Sequence, residues 1–231
     1  MAEYSIVFRD VWKIYRGNGI DYPALRGVNF VVEKGELVAL QGPSGSGKTT
    51  VIYLAGGLDT PTRGEVIVNS ENLGRLSEGK RAKWRRRNVG IVFQFFHLVP
   101  TLTVLENVIL PMELAEYPPK EKRLERAEEL LEIIGMKNKR EKFPNQLSGG
   151  EQQRVAIARA LAADPYIILA DEPTANLDTR NKLKIIDLLI EANHLGKTIL
   201  YTTHDPQLAS KADRVLKIED GRIVPLNLSG L

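Results

Sequence analysis

The sequence predicts an α/β protein whose sheet-forming core is interrupted by an inserted helical segment. Short apolar runs typical of buried strands alternate with helical stretches before residue 94 and again after Pro165. Between these regions, Leu105, Val108 and Met112 recur at helical spacing. Because strands that alternate with helices are typical of a parallel sheet covered by helices, we expect two halves of one α/β core around the insertion.

The individual elements are predicted from periodicity and from capping residues. We expect strands at residues 28–32, 36–41, 64–69, 89–93, 166–170, 198–203 and 215–218, and a last strand after the Asp220-Gly221 turn. We expect helices at residues 48–58, from residue 103 onward, and at 120–134, 148–161, 179–195 and 207–212. Ser148 is the expected cap of its helix, and Gly135 the expected end of the helix before it.

The composition predicts a globular protein that would reach a membrane only through a partner. Apolar residues make up 43% and charged residues 26% of the 231 residues, which is enough for a proper core. No run approaches the roughly 20 apolar residues that a bilayer span needs, and the first ten residues do not resemble a signal peptide. The absence of cysteine excludes disulfides, thiolate nucleophiles and cysteine-ligated metals. We therefore expect a cytoplasmic protein.

One basic cluster, at residues 80–87, has two interpretations. It could be a nucleic-acid patch, or the solvated face of a helix that begins near a Ser77 cap. The formal net charge of +3 is weak support for a polyanionic partner, so no nucleic-acid partner is expected.

Residues 42–50 read GPSGSGKTT and match the phosphate-loop pattern G-x-x-x-x-G-K-[ST] between a strand and a helix. Gly42, Gly45 and Gly47 are expected to adopt positive φ and to let the backbone approach phosphate. Lys48 would supply a charge for the β and γ phosphates, and Thr49 a hydroxyl for Mg²⁺. The predicted ATP-binding residues of this loop are Gly42, Pro43, Ser44, Gly45, Ser46, Gly47, Lys48, Thr49 and Thr50.

Three further strand ends carry polar side chains. Asp171 and Glu172 follow the apolar run YIILA, where ligands collect in α/β sheets. Asp171 is predicted to hold Mg²⁺, and Glu172 to accept a proton from the attacking water. His204 follows TILYTT and is a candidate catalytic residue, although a lone histidine is more often structural. Gln94 follows VGIVF and could ligate Mg²⁺ or place water.

Residues 147–154 read LSGGEQQR and, together with the phosphate loop, resemble the signature of ABC-type ATPases. The resemblance extends over essentially the whole chain, in the order Tyr15, GPSGSGKTT, Gln94, LSGGEQQR, YIILADE, Asn176–Asp178 and His204. It implies a P-loop NTPase core with an N-terminal antiparallel β-subdomain and an inserted α-helical signature subdomain. The implied division is a single domain, 1–231, with the core at 1–94 and 155–231 and the helical subdomain at 95–154.

The resemblance also implies individual roles. Tyr15 would stack on adenine, Gln94 would join the core to the helical subdomain, and Glu172 would be the catalytic carboxylate. His204 would contact the γ-phosphate. Ser148, Gly149 and Gly150 put a hydroxyl and bare N–H groups at a helix N-terminus, which makes a second phosphate cradle. The family explanation of two cradles in one chain is a head-to-tail homodimer that binds ATP between subunits.

Two positions depart from the family pattern. Glu151 stands where glutamine is usual, and Asn176 lies in a segment that usually reads Ser-Ala-Leu-Asp. Neither departure removes a phosphate ligand, but Glu151 adds negative charge near the second cradle and would weaken ATP-driven dimerisation slightly.

The run QFFHLVPTLTVLENV, at residues 94–108, resembles the subunits of lipoprotein-releasing and macrolide-exporting systems. The implied partner is an integral membrane permease, which would place the chain on the inner face of the cell membrane. Phe95, Phe96, Leu98, Val99 and Leu102 suggest an exposed apolar groove for that partner. Amino-acid importers remain an alternative, as does a soluble ABC ATPase that acts on ribosomes or nucleic acid.

Overall fold

The computed structural model describes residues 3–17 and 20–224. Its strands are β1 (Tyr4–Gly17), β2 (Ile20–Glu33), β3 (Leu37–Gln41), β4 (Arg63–Val68), β5 (Glu71–Asn72), β6 (Val89–Val92), β7 (Ile167–Ala170), β8 (Thr198–Thr203), β9 (Arg214–Glu219) and β10 (Arg222–Val224). They form a four-stranded sheet in the order β2-β1-β4-β5 and a six-stranded sheet in the order β10-β9-β3-β8-β7-β6. The first sheet is antiparallel throughout, as the resemblance implied.

The six-stranded sheet is parallel except for its edge strand β10, which runs antiparallel to β9. Every residue of β7 and β8 is buried, and so are the first four of β3. Strands covered on both faces have near-continuous apolar sequences, which explains why their positions were predictable. Because they are parallel, their carboxyl ends meet at one edge of the sheet.

The helices agree with the predicted ones to within a few residues at each end. They are α1 (Lys48–Ala55), α2 (Glu78–Asn88), α3 (Val104–Ala115), α4 (Arg123–Ile133), α5 (Gly149–Leu161), α6 (Thr179–His194) and α7 (Pro206–Ala209). The helix α1 is three residues shorter than predicted, and Gly57 just beyond it has φ +62°. Within the described residues, none of the helices combines the length and apolar content that crossing a bilayer requires.

The inserted helices have a hydrophobic cluster of their own. Val104, Val108 and Met112 of α3 pack with Leu130 and Leu131 of α4 in this cluster. The helix α5 joins it to the sheet, since it contributes residues both to this cluster and to the one that packs against β7 and β8. The predicted subdomain boundary after residue 154 therefore falls within α5.

Strand β1 was not predicted from periodicity, because a bulge resets its alternation. Ile6 and Phe8 are buried, but the next buried residue is Val11, three positions later. The register to β2 shifts between Phe8 and Val11, where Asp10 has φ +44° and donates its N–H to the Asn29 side chain at 2.8 Å. A bulge adds one residue to a strand and so breaks the period of two.

The predicted basic cluster lies on α2. Ser77 is its N-cap residue, although the Ser77 side chain makes no capping bond. Arg81 and Arg85 both donate to the carbonyl oxygen of Gly57, at 3.0 and 2.8 Å. These two guanidinium groups thus fix the loop after α1.

The segment between β6 and α3 is held by the buried Asn107 and the half-buried Arg159. Asn107 accepts the Val99 N–H at 2.8 Å and donates back toward the Val99 carbonyl at 3.1 Å. The Arg159 guanidinium of α5 donates to the carbonyls of Phe96, at 2.7 Å, and His97. Phe96 and His97 are consecutive left-handed residues, with φ +57° and +51°. This conformation is unfavourable for residues with a Cβ and needs such support.

Candidate active site

An open cavity of about 530 Å³ receives side chains from both sheets and from the carboxyl ends of the parallel strands. Its volume is in the range of typical small-molecule sites. The cavity is lined by Tyr15, Tyr22, Ala24, Ser44, Gly45, Gly47, Lys48, Thr49, Thr50, Gln94, Glu172, Ala175 and His204. Ten of these are predicted site residues, whereas Tyr22, Ala24 and Ala175 were not predicted.

The phosphate loop connects β3 to α1 and curls around the Lys48 ammonium. Lys48 is only 6% exposed, and its Nζ donates to the carbonyls of Gly42 and Pro43, both at 2.9 Å. The same Nζ lies 3.2 Å from Oε1 of Glu172. A buried ammonium requires such partners, because an unpaired charge in the interior is costly. The loop therefore holds a fixed positive charge at the N-terminus of α1.

The three loop glycines serve two different purposes. Gly45 and Gly47 have φ +79° and +104°, as predicted. The prediction of positive φ is wrong for Gly42. A Cβ on Gly42 would lie 2.3 Å from the carbonyl oxygen of Ile218, so this glycine is needed because the loop passes directly against β9.

The turn between β9 and β10 is hydrogen-bonded to the phosphate loop. Gly221 donates its N–H to the Ser46 carbonyl at 3.0 Å and accepts the Arg26 N–H at 2.8 Å. Ser46 is a buried residue of the loop and does not line the cavity. The Asp220-Gly221 turn was predicted only as a hairpin, so this supporting role could not be read from its sequence.

A buried threonine orients both acidic residues at the end of β7. The Thr202 hydroxyl donates to Oδ1 of Asp171 at 2.9 Å and accepts the Glu172 backbone N–H at 2.8 Å. Burial raises the pKa of Asp171 above its ordinary value, and hydrogen bonds from Thr49 and Thr202 oppose that rise. Glu172 has φ +44°, a strained conformation of the kind that concentrates at functional sites.

The Glu172 carboxylate joins Lys48 to His204. Its Oε1 faces the Lys48 ammonium, and its Oε2 lies 3.0 Å from Nδ1 of His204. Gln94 lies on the same cavity, and its backbone carbonyl accepts the Asn176 side-chain amide at 3.3 Å. The structure thus brings together a cation, a carboxylate, an imidazole and an amide that come from four separate parts of the sequence.

Tyr15 lines the same cavity, although it is far from these groups in the sequence. It lies near the end of β1. Its hydroxyl donates to Oδ2 of Asp59 at 3.2 Å, and the Lys13 ammonium lies 4.9 Å from the centre of its ring. Tyr22 is its cross-strand partner in β2 and lines the cavity beside it. Burial raises the pKa of Tyr15 above its ordinary value.

The signature residues do not line this cavity. Ser148 is the N-cap of α5 and is exposed, and its backbone N–H donates to Oε2 of Glu151 at 3.0 Å. A Cβ on Gly150 would lie 2.8 Å from the Asn181 side chain, whereas one on Gly149 would meet no atom closer than 3.5 Å. Within one chain the second cradle is therefore separate from the phosphate loop.

Glu151 is engaged within its own subunit. Its Oε1 pairs with Lys139 at 2.6 Å, and this bond and the Ser148 N–H hold the pKa of Glu151 below its ordinary value. Glu151 was expected to add negative charge near the second cradle. Because Lys139 pairs with it, this charge is compensated within the same chain.

The remaining predicted residues lie close to the cavity without lining it. Gly42 and Pro43 border a smaller cavity of about 310 Å³ that also includes His204. Asp171 is buried, only 5% exposed, beneath Thr49 and Thr202.

Replacing Gly42 with alanine should destabilise the fold by about 1–3 kcal/mol, the usual cost of overpacking. The reason is the contact of the new Cβ with the Ile218 carbonyl, which belongs to a sheet strand and cannot move freely. Urea unfolding followed by circular dichroism measures the effect. The matched control is Gly79→Ala on α2, where a Cβ meets no atom within 4 Å. Equal unfolding midpoints for the two variants would contradict the steric account.

Comparisons with known proteins identify the family of the chain. The family model described as ABC transporter matches residues 25–175. The chain is 48% identical over 222 residues to an uncharacterized ABC transporter ATP-binding protein of Thermotoga maritima, covering 96% of this chain and 94% of that protein. It is 46% identical over 218 residues to a similarly named protein of Methanocaldococcus jannaschii, covering 94% and 97%.

The fold matches a solved structure over nearly its whole length. The dimeric ATP-binding cassette MJ0796, in a post-hydrolysis state bound to ADP and Pi, superimposes with a TM-score of 0.89 at 42% identity. The match covers 95% of this chain and 97% of that chain. A second dimeric structure of MJ0796, described as a bacterial ABC transporter cassette, gives the same values. Since the family model covers more than half of the sequence and the relatives match nearly all of it, the chain belongs to the ABC transporter family as an ATP-binding, ATP-hydrolysing cassette.

Proposed function

We propose that this ATPase works as a homodimer with MgATP between its subunits, and that it drives an integral membrane permease of the lipoprotein-releasing or macrolide-exporting type. The observation that carries the proposal is the position of the two phosphate cradles. The cavity joins Lys48, Glu172, His204 and Gln94, while the exposed N-terminus of α5 is left outside it.

The phosphate loop supplies binding without large rearrangement. The N–H groups of a helix N-terminus and a fixed ammonium are complementary to a triphosphate. A γ-phosphate competes with Glu172 for Lys48, because Nζ faces that carboxylate at 3.2 Å. Binding of ATP therefore frees one carboxylate oxygen of Glu172 at the same moment that it brings the phosphate to be attacked.

The Mg²⁺ ion implied by the family fits the oxygen donors present. The Thr49 hydroxyl, the Asp171 carboxylate and the Gln94 amide are hard donors and few in number, as suits an ion that keeps several waters and binds phosphate oxygens. When bound, Mg²⁺ would neutralise charge on the β and γ phosphates. Burial raises the pKa of Asp171, and a bound cation would lower it again.

Hydrolysis needs one proton acceptor beside the γ-phosphate. Glu172 takes a proton from water as the water oxygen bonds to the γ-phosphorus, and the bond to the β–γ bridging oxygen breaks to give ADP and phosphate. His204 holds the Glu172 carboxylate through Nδ1, at 3.0 Å. Its ring is more than half exposed, so its other nitrogen is free to face the γ-phosphate.

Glu172→Gln should reduce ATP turnover by roughly 10²–10⁴, the usual contribution of a general base, while ATP binding persists. Removal of one negative charge beside Lys48 should also let an ATP-bound dimer accumulate. Phosphate release and size-exclusion mass in Mg-ATP measure the two effects. Glu132→Gln on α4, far from the cavity, is the matched control. Turnover close to that of the control would assign the base elsewhere.

A second copy of the chain completes the site in this proposal. One γ-phosphate in the cavity is held on one side by the phosphate loop, and the signature cradle of the same chain does not reach it. In a head-to-tail dimer with two-fold symmetry, each loop faces the Ser148 end of the other subunit. The dimeric MJ0796 cassette, which is 42% identical, supports this arrangement.

A mixture of Lys48→Ala and Ser148→Arg subunits should recover part of the activity that each variant lacks alone. A mixed dimer contains one site with both defects and one site with neither. ATP turnover of the mixture, compared with each variant at the same total concentration, measures the recovery, and native mass spectrometry shows that mixed dimers form. Substantial activity of either variant alone would contradict the composite site.

We place the permease docking surface beside the segment after Gln94, where Phe95 is 67% exposed and the other residues expected there are half-buried. Leu98 is half-buried and packs against the cluster of α3 and α4, and the Val99 backbone is bonded to Asn107. A groove of about 420 Å³ lies between α2, α3 and α5. It is lined by Leu58, Phe93, Leu110, Pro111 and Leu114 together with Arg85, Arg86 and Arg159. Leu114 is 51% exposed at its rim.

Leu114→Asp should abolish copurification with a co-expressed permease, because it places a charge at the apolar rim of the groove where a permease helix would bind. Basal ATP turnover and the unfolding midpoint should stay unchanged. Detergent extraction of co-expressed subunits, followed by affinity purification, measures the loss. Leu195→Asp, at a leucine that is 79% exposed after α6, is the matched control. Copurification of both variants with the permease would place the docking surface elsewhere. Cosedimentation of the wild-type protein with ribosomes would favour the soluble alternative.

A further inference from the structure

Tyr15 is held by a charged pair that the phosphate-binding motifs do not include. The Lys13 ammonium donates to Oδ1 of Asp59 at 2.6 Å and to the Thr60 carbonyl at 2.9 Å. The second oxygen of the same carboxylate, Oδ2, accepts the Tyr15 hydroxyl at 3.2 Å. The Lys13 ammonium and both carboxylate oxygens of Asp59 are therefore hydrogen-bonded, and the two side chains lie beside the Tyr15 ring.

Lys13 also occupies one face of that ring. Its Nζ lies 4.9 Å from the ring centre, within the range of cation–π contacts. The Lys13 side chain is only 12% exposed, so the ammonium is kept in place rather than free in solvent. This leaves the opposite face of Tyr15 for a nucleobase, and the side chain cannot leave its χ1 rotamer without breaking the bond to Asp59.

Asp59 is itself attached to the helix that binds phosphate. Its backbone N–H donates to the carbonyl of Tyr53 in α1, at 3.3 Å, and α1 begins with Lys48. The strand that carries Tyr15 is fastened to the same loop, because the Ile14 N–H donates to the Thr62 hydroxyl at 3.0 Å. One short helix thus sets the separation between the phosphate end and the aromatic end of the cavity.

We propose that Lys13 and Asp59 are positioning residues for the nucleobase, which hold the Tyr15 ring at a fixed distance from the phosphate loop. The proposal rests on the proposed stacking of adenine on Tyr15. A ring that is already fixed loses little freedom when the base stacks on it, and preorganisation of this kind raises affinity without a new contact. Ionisation supports the arrangement: burial acts to raise the pKa of Asp59, but bonds from Lys13 and the Thr60 N–H outweigh it and hold that pKa below its ordinary value.

The proposal predicts a selective loss of affinity. Tyr15→Ala should weaken ATP binding about 5- to 100-fold, as expected when base stacking is lost. Lys13→Met and Asp59→Asn should each weaken it about 3- to 10-fold, and Tyr15→Phe should fall in the same range because the ring stays but its bond to Asp59 is lost. Affinity for inorganic tripolyphosphate, which has no base, should remain that of the wild type in all four variants. The KM for ATP should rise while kcat changes little.

A double-mutant cycle separates positioning from a general structural role. Lys13→Met should have almost no further effect on ATP affinity in the Tyr15→Ala background, since both residues act through one ring. Arg75→Met, which removes an ion pair with Glu65 at the other side of the antiparallel sheet, is the matched control. Fluorescence titration with ATP and tripolyphosphate, with thermal unfolding of each variant, gives all the values required.

Four outcomes are decisive. If Lys13→Met lowered ATP affinity equally in the wild type and in the Tyr15→Ala background, the positioning role would be overturned. A parallel loss of tripolyphosphate affinity would overturn it as well. Unchanged ATP affinity in Tyr15→Ala would instead refute the stacking of adenine on which the proposal rests. If Lys13→Met does not fold, Asp59→Asn and Tyr15→Phe test the same link from its other two members, and wild-type ATP affinity in both would overturn it.

Discussion

The burial of the Lys48 ammonium is the constraint on which the site depends. An interior charge must be surrounded by partners, and Lys48 has two loop carbonyls and one carboxylate. These partners determine the path of the phosphate loop, which in turn needs glycine where it passes Ile218 and where φ becomes positive. The same requirement brings Glu172 to the loop from a strand that lies more than a hundred residues later. The charge that attracts phosphate also assembles the groups around it.

The parallel sheet makes this assembly possible at low cost. Strands β3, β7 and β8 end at one edge, so residues distant in sequence meet there without long loops. Thr202, buried in β8, bonds both to Asp171 and to the backbone of Glu172, and so transfers the rigidity of the sheet to two carboxylates. The two acidic residues are thus placed by backbone geometry and held by one hydroxyl.

The sequence was informative where a pattern has one physical cause. Buried parallel strands require continuous apolar runs, and the phosphate loop requires glycines, a lysine and a hydroxyl at fixed offsets, so both were predictable. Strand β1 was not predicted from its pattern, because the bulge at Asp10 breaks the period. Thr202, Asp59 and Lys13 were also missed, since a threonine in a strand or an acid in a turn has no sequence context that distinguishes support from solvation. Leu98 was expected at an exposed groove and instead packs on the helical cluster, because burial depends on which helices meet.

The left-handed pair at Phe96 and His97 has a thermodynamic consequence. Each such residue costs about 1–3 kcal/mol, and the pair is held by the Arg159 guanidinium of the signature helix α5. The segment that follows Gln94 therefore stores backbone strain, and the side chain that holds it in the strained conformation belongs to a different element. A displacement of α5 relative to this segment would alter the two bonds from Arg159 and so change the stored free energy. By linkage, a ligand in the cavity that favoured such a displacement would be bound more tightly, by the same factor, once α5 had been displaced.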